Sequence, residues 1–353
     1  MTPLERMNRV FRGEYPDRTP FVPSIYEHGA AVIGSTPSIA SCDAALMAAA
    51  AVESYRAYGH DLVTVGIDIY NIEAEAFGCP VRRFDSHDIP AVYAHPLGAS
   101  ETLDCTDLAI PDEDDGGNRL GLIVEACRRT YAELKDEVPV YACMGGPFSQ
   151  AVELRGFDRF LMDMIDDPAS AHSLLRKTTE LSIRHARRLS DQGVGVNVYE
   201  SWATLPLISP AIFRDFVVPY EKRIVAEIRS SFDTPAPAVI LGGNTSMLID
   251  FFIEVDTSLV VADYMTDFTF MRRKLRENDS RMVVRGCLDP KRIERGEWKE
   301  LQAPIDTLAA ASADMPNFVW GCGCVSIGTT KENLIRFKEL CLEASARRRG
   351  DRT

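Results

Sequence analysis

The feature that most constrains this chain is a repeated alternation. A short apolar run is followed by a loop and then by a longer amphipathic stretch, eight times over. The apolar runs are residues 19–25, 62–67, 138–143, 194–199, 236–241, 258–262, 282–285 and 317–320. They are rich in Val, Ile and Phe and lack clean polar alternation, as strands buried on both faces of a parallel sheet do. The stretches between them carry helix signals. Thr2-Pro3-Leu4-Glu5 is a capping box with proline in the first turn, and Ser209-Pro210 opens a long helix predicted to run to about Ser230. Thr330-Lys331-Glu332 opens the last helix, with Leu334, Phe337 and Leu340 at roughly helical spacing. Eight strand–helix units predict an α/β fold, a (β/α)8 TIM barrel with an amino-terminal helical extension, using residues 1–353 as one domain. The alternative, a doubly wound open sheet, lacks its usual signatures. No Gly-x-Gly-x-x-Gly follows the first strand and no P-loop is present. Residues 97–120 break the repeat, and the acidic run from Asp112 to Asp115 is predicted to be a solvated loop.

Charge and cysteine usage narrow the function classes. Lys and Arg total 39 against 52 Asp and Glu, a formal net charge of −13, which argues against a nucleic-acid partner. No apolar run approaches the roughly 20 residues of a membrane helix. Nine widely spaced cysteines, with a charged amphipathic start in place of a signal peptide, predict free thiols and a cytoplasmic enzyme. His172 and His185 are expected on solvent-facing helix surfaces. Cys42, Cys79, Cys105, Cys127, Cys143 and Cys341 are expected in the core or in helix packing.

Chemistry on a (β/α)8 barrel sits at the carboxyl ends of the strands. The residues just past each run are Tyr26, Glu27 and His28; Asp68, Tyr70 and Asn71; Ser149, Gln150 and Glu153; Glu200 and Trp202; Asn244; Asp263; Cys287 and Asp289; and Cys322 and Cys324. This predicts a carboxylate-rich mouth with thiols on its late strands. Glu200, Asp68 and Glu153 are candidate catalytic acids. Tyr26, His28, Tyr70, Trp202, Asn244 and Asp263 are candidate substrate contacts. Cys322, Cys324 and Asp263 are candidate metal ligands, although Cys-Gly-Cys alone makes no four-ligand site and buried structural thiols are the commoner outcome. Glu73 and Glu75, two positions apart, cannot share one helix face.

These residues resemble the uroporphyrinogen decarboxylase superfamily over nearly the whole chain. The resemblance rests on Arg12-Gly13-Glu14-Tyr15-Pro16-Asp17-Arg18, Gly145-Gly146-Pro147-Phe148, Glu200-Ser201-Trp202, Gly243-Asn244-Thr245 and Gly286-Cys287-Leu288-Asp289-Pro290. It implies the barrel fold. True decarboxylases of the superfamily grip substrate carboxylates with arginines after the first strand, but Tyr26-Glu27-His28-Gly29-Ala30 holds none. Ile72-Glu73-Ala74-Glu75-Ala76-Phe77-Gly78 resembles the corrinoid-dependent methyltransferase branch. That resemblance implies methyl transfer between a small methylated substrate (methoxy-aromatic, methylamine or similar) and the cobalt of a corrinoid on a partner protein, and it allows a homodimer. Zinc is implied for that branch through a His-x-Cys pair, yet Ile240 and Gly242 stand at those positions. A decarboxylase acting on a smaller acid, or a binding protein without catalysis, are the alternatives.

Overall fold

The computed structural model describes residues 1–69, 71–112, 116–231 and 237–350. Tyr70 and the acidic residues 113–115 lie outside the described residues. In chain order the strands are β1 (Val63–Val65), β2 (Val81–Arg82), β3 (Ala91–Val92), β4 (Val140–Gly145), β5 (Gly195–Tyr199), β6 (Ala238–Ile240), β7 (Leu259–Ala262), β8 (Val283–Leu288) and β9 (Phe318–Cys322). β1, β4, β5 and β6 pair in parallel in that order, as do β7, β8 and β9. Two seams join the halves. At one, Phe21 bridges Trp320 and Ser24 bridges Cys324, while the Phe21 carbonyl accepts from the Asp61 N–H at 2.8 Å. At the other, the Ser258 N–H donates to the Pro237 carbonyl at 3.2 Å, and the Thr257 hydroxyl accepts from the Val239 N–H at 2.8 Å. The result is a (β/α)8 barrel.

The first barrel segment is less regular than its apolar run suggests. Pro20 and Pro23 carry no N–H, so the segment makes isolated bridges in place of a continuous ladder. The helix expected from Pro210 is split into Pro210–Phe216 and Val218–Ser231, with Pro219 unable to continue the first piece's hydrogen bonding. The antiparallel β2–β3 hairpin lies ahead of the break expected at residues 97–120, in the segment that follows β1.

Barrel-strand side chains sort by face. Val22, Tyr26, Tyr141, Cys143, Tyr199, Val261, Val283, Cys287 and Val319 share one inner cluster. Their neighbours Val198, Val260 and Val284 pack outward against the helices. The amino-terminal helix Pro3–Phe11 carries the expected capping box, with Thr2 and Glu5 satisfying each other's backbone. Its Met7 and Val10 join the inner cluster beside Leu62, Leu259 and Val283, so this helix plugs the end of the barrel opposite the mouth. His185 is fully buried, contrary to expectation. It lies in the long helix Pro168–Ser190 among buried Ser182, Ala186 and Leu189, on the face turned to the core. Cys42 is exposed in the turn after the short helix Pro37–Ala40.

Candidate functional site

The mouth begins where the first barrel segment ends. Tyr26 and Tyr199 meet edge to face, with hydroxyls 2.7 Å apart, and burial raises both phenols above their ordinary range. Glu27 starts a short helix and is buried. Loss of solvation, with the nearby Asp68 charge adding to it, pushes its carboxyl up to about 7. His28 is held at both ring nitrogens, by the Ser326 carbonyl at 3.0 Å and the Tyr58 hydroxyl at 2.8 Å. Burial lowers its basicity, so it braces the first loop against the last as a neutral ring.

The other acids divide by partner. Asp68 is fully buried. It pairs with Arg119 at 2.8 Å and accepts from the Asn71 amide, while burial pushes its carboxyl up. Glu73 and Glu75 go opposite ways, as their two-residue spacing requires. Glu73 turns inward and accepts from the Gly145 N–H at 3.0 Å, whereas Glu75 pairs with Arg83 at 2.5 Å and with Arg119. Glu200 receives the start of helix Pro147–Arg155: the Phe148 N–H at 2.9 Å, the Ser149 N–H at 2.8 Å and the Ser149 hydroxyl at 2.7 Å. Helix N-termini hold carboxylates in this manner. Gly146 is required here, because a Cβ would come within 2.3 Å of the Glu200 carboxyl carbon. Buried Glu221 faces Glu200, and burial with repulsion from Glu200 raises it well above the ordinary carboxylate range. Glu153 is half-buried, accepts from the Trp202 indole N–H at 2.7 Å and is pushed up by burial. Trp202 stacks on Phe157 with ring centres 5.6 Å apart.

The late strands supply the rest. Asp263 accepts from the Gly243 N–H at 2.8 Å and the Tyr264 N–H at 2.9 Å, which ties together the loops after β6 and β7. Asn244 is exposed and caps Ser246 at 3.1 Å. Cys322 packs outward among Phe21, Leu288, Trp320 and Phe337. Cys324 reaches solvent, yet protein crowds it from all sides, as at the floor of an open cup. That crowding, with Glu27, Asp263 and Cys287 nearby, pushes its thiol up to about 12.

A zinc ion does not fit this arrangement. Zinc needs several deprotonated donors converging on one point. Cys322 points into the wall, and Asp263 is engaged by two backbone amides. Among the described residues no three His, Cys, Asp or Glu side chains converge to hold a metal.

The structure therefore brings Tyr26, Glu27, Asp263 and Cys324 within electrostatic reach of one another at the strand ends, while Glu153 and Trp202 pair with each other beyond β4 and β5. Asp68 and Glu200 lie behind this layer, on Arg119 and on the helix start. Tyr199, Glu27 in an acid role and Arg285 escaped the sequence reading. For Arg285 there was a signal: a lone cation inside the apolar run 282–285.

The uroporphyrinogen decarboxylase family pattern matches residues 2–343. The methylcobamide:CoM methyltransferase MtbA of Methanosarcina mazei is 26% identical over 343 residues, covering 96% of this chain and 97% of that protein. MtbA of Methanosarcina acetivorans is also 26% identical, over 346 residues, with 96% and 97% covered. The uroporphyrinogen decarboxylase of Myxococcus xanthus is 28% identical over 252 residues, with 69% of this chain and 68% of that protein covered. The solved structure of a methyltransferase from Methanosarcina mazei superposes with a TM-score of 0.80 at 18% identity, over 98% of this chain and 99% of that one. Among the described residues no helix is long and apolar enough to cross a membrane.

Proposed function

Because the chain belongs to the uroporphyrinogen decarboxylase family, we propose that it is a methyltransferase acting between a small methylated substrate and the cobalt of a corrinoid carried by a partner protein. The near full-length likeness to methylcobamide:CoM methyltransferases supports the reaction class. The single observation that carries the reading is Glu27, a buried acid where the decarboxylase branch is expected to keep arginines, whose carboxyl burial pushes up to about 7. Methyl groups on oxygen, nitrogen or sulfur depart from poor leaving groups, and a positioned acid removes that difficulty. As the methyl–heteroatom bond breaks, its electron pair stays on the heteroatom. Glu27 gives that atom its proton and becomes a carboxylate, and the methyl group passes to the nucleophile presented by the partner. Glu153, on Trp202, is the second acid within the mouth. Asp68 and Glu200 act as positioning groups through Arg119 and the helix start. Exposed Met247, Tyr264 and Met265 ring the late loops and offer an apolar rim for a docking protein.

The test mixes purified protein with cobalt(I) corrinoid and a panel of methoxy-aromatic, methylamine and methylthiol donors. A methyl-cobalt spectrum with at least one donor is expected, with a rate that falls about tenfold per pH unit above about pH 7 as Glu27 loses its proton. No methyl-cobalt from any donor, with carbon dioxide released from a small acid in the absence of corrinoid, would sink the reading in favour of decarboxylation.

A further inference from the structure

Arg285 lies inside the barrel on β8, between Val283 and Cys287 of the inner cluster. It is 6% exposed, and its Nε has no partner. Among the described residues no carboxylate comes within ion-pair distance of it. Among the described residues the other deeply buried arginines are all neutralised: Arg6 by Asp17 and Asp61, Arg119 by Asp68 and Glu75, and Arg155 by Asp163. A guanidinium cannot escape its burial by shedding a proton, and a desolvated charge without a counter-ion is costly.

The surroundings are shaped for this side chain. Gly321 on β9 leaves its stem room, since a Cβ there would meet Arg285 Cγ at 2.7 Å and Cδ at 2.9 Å. The groups that feel its charge are Cys287, Tyr26, Tyr199, Cys322 and Cys324, all at the carboxyl ends of their strands. The head therefore lies on the mouth side. The Tyr26 and Tyr199 hydroxyls hydrogen-bond each other on the same side.

We propose that Arg285 is the counter-ion for the substrate's own carboxylate, so that the donor is a small methylated carboxylic acid rather than a neutral amine or ether. The planar fork of guanidinium donors matches a carboxylate in two parallel hydrogen bonds. One buried cation beneath an acidic rim admits one compact anion and repels a polycarboxylate. The proposal rests on the methyl-transfer reading for the reacting end of the substrate, but not for the end that Arg285 holds.

Binding is measured by titration calorimetry without corrinoid, so it stands or falls apart from turnover. Methoxyacetate and 3-methoxybenzoate are expected to bind the wild type at least about tenfold more tightly than methoxyacetamide. Arg285→Gln should erase that preference, and Arg285→Lys should retain part of it, with circular dichroism confirming the fold of each. Gly321→Ala crowds the arginine stem without removing the charge, and should weaken the carboxylates while sparing the amide. Equal binding of amide and carboxylates, undiminished carboxylate binding in Arg285→Gln, or no carboxylate binding up to roughly 10 mM would overturn the proposal. Carboxylate binding without any methyl-cobalt product would leave it intact and overturn the proposed reaction alone.

Discussion

Arg6 at the plugged end of the barrel and Arg285 within it are equally buried, at 5% and 6% exposure. Arg6 donates to Asp61 at 2.7 Å and grips Asp17 at 2.7 and 2.8 Å. Asp61 also accepts from Arg18 at 2.7 and 3.0 Å and from the Phe21 N–H at 2.7 Å. Every charge there is answered within the chain, and the network joins the amino-terminal helix to the first barrel segment. Arg285 has no such answer. The same side chain is a fastening at one end and an open valence at the other. The difference separates charges that hold the barrel closed from charges that wait for a ligand.

The largest expected effect comes from breaking the answered end. Asp61→Asn removes the fully buried carboxylate that joins Arg6, Arg18 and the Phe21 N–H and should cost about 3–5 kcal/mol in chemical denaturation. Arg285→Met, its counterpart in the mouth, removes a charge that nothing neutralises, and should leave stability unchanged or raise it by about 1–4 kcal/mol. If both variants lost the same stability, the contrast between the two ends would fail.

A smaller effect sharpens the contrast through pH. Glu27 is raised in the folded chain to about 7 from an ordinary value of 4.5. Between those values the folded state holds a proton that the unfolded state has lost. Stability therefore falls as pH rises through this window and levels off above about 7, a difference of about 3 kcal/mol. Unfolding free energies at pH 4.5 and 8 should show this slope in the wild type and lose most of it in Glu27→Gln. An unchanged slope would remove Glu27 from the list of buried acids. The smallest effect belongs to neither end. Arg56 and Glu137 form a surface pair at 2.5 and 2.9 Å, and Glu137→Gln should leave stability unchanged within the error of the same assay.

Much of the fold was legible because period and punctuation are local properties. The apolar runs, the Thr2–Glu5 capping box and the Ser209-Pro210 start each express a preference their own residues carry. The errors were also local in origin. The run 19–25 looked like a strand by hydrophobicity, and its two prolines reduced it to bridges. His185 looked polar and therefore exposed, but its place on the long helix turned it inward.

The site was legible only as a roll of residues at strand ends. Sequence placed Asp68, Glu200, Glu27 and Asp263 near one rim, because strand ends converge in any closed barrel. It could not say which carboxylate would meet Arg119, which would take the start of helix Pro147–Arg155, and which would be left holding a proton. Partners that lie tens of residues apart in the chain decide this, as Glu200 and Ser149 do.

By itself, then, the sequence determined the barrel, its amino-terminal helix and the acidic, arginine-poor first loop, since these follow from hydrophobic period, capping chemistry and composition. Only the tertiary structure decided which charges are spent and which are free. Ionisation and hydrogen bonding depend on burial and on neighbours brought from distant strands, and Arg285 stands out only because every other deeply buried arginine among the described residues has a carboxylate.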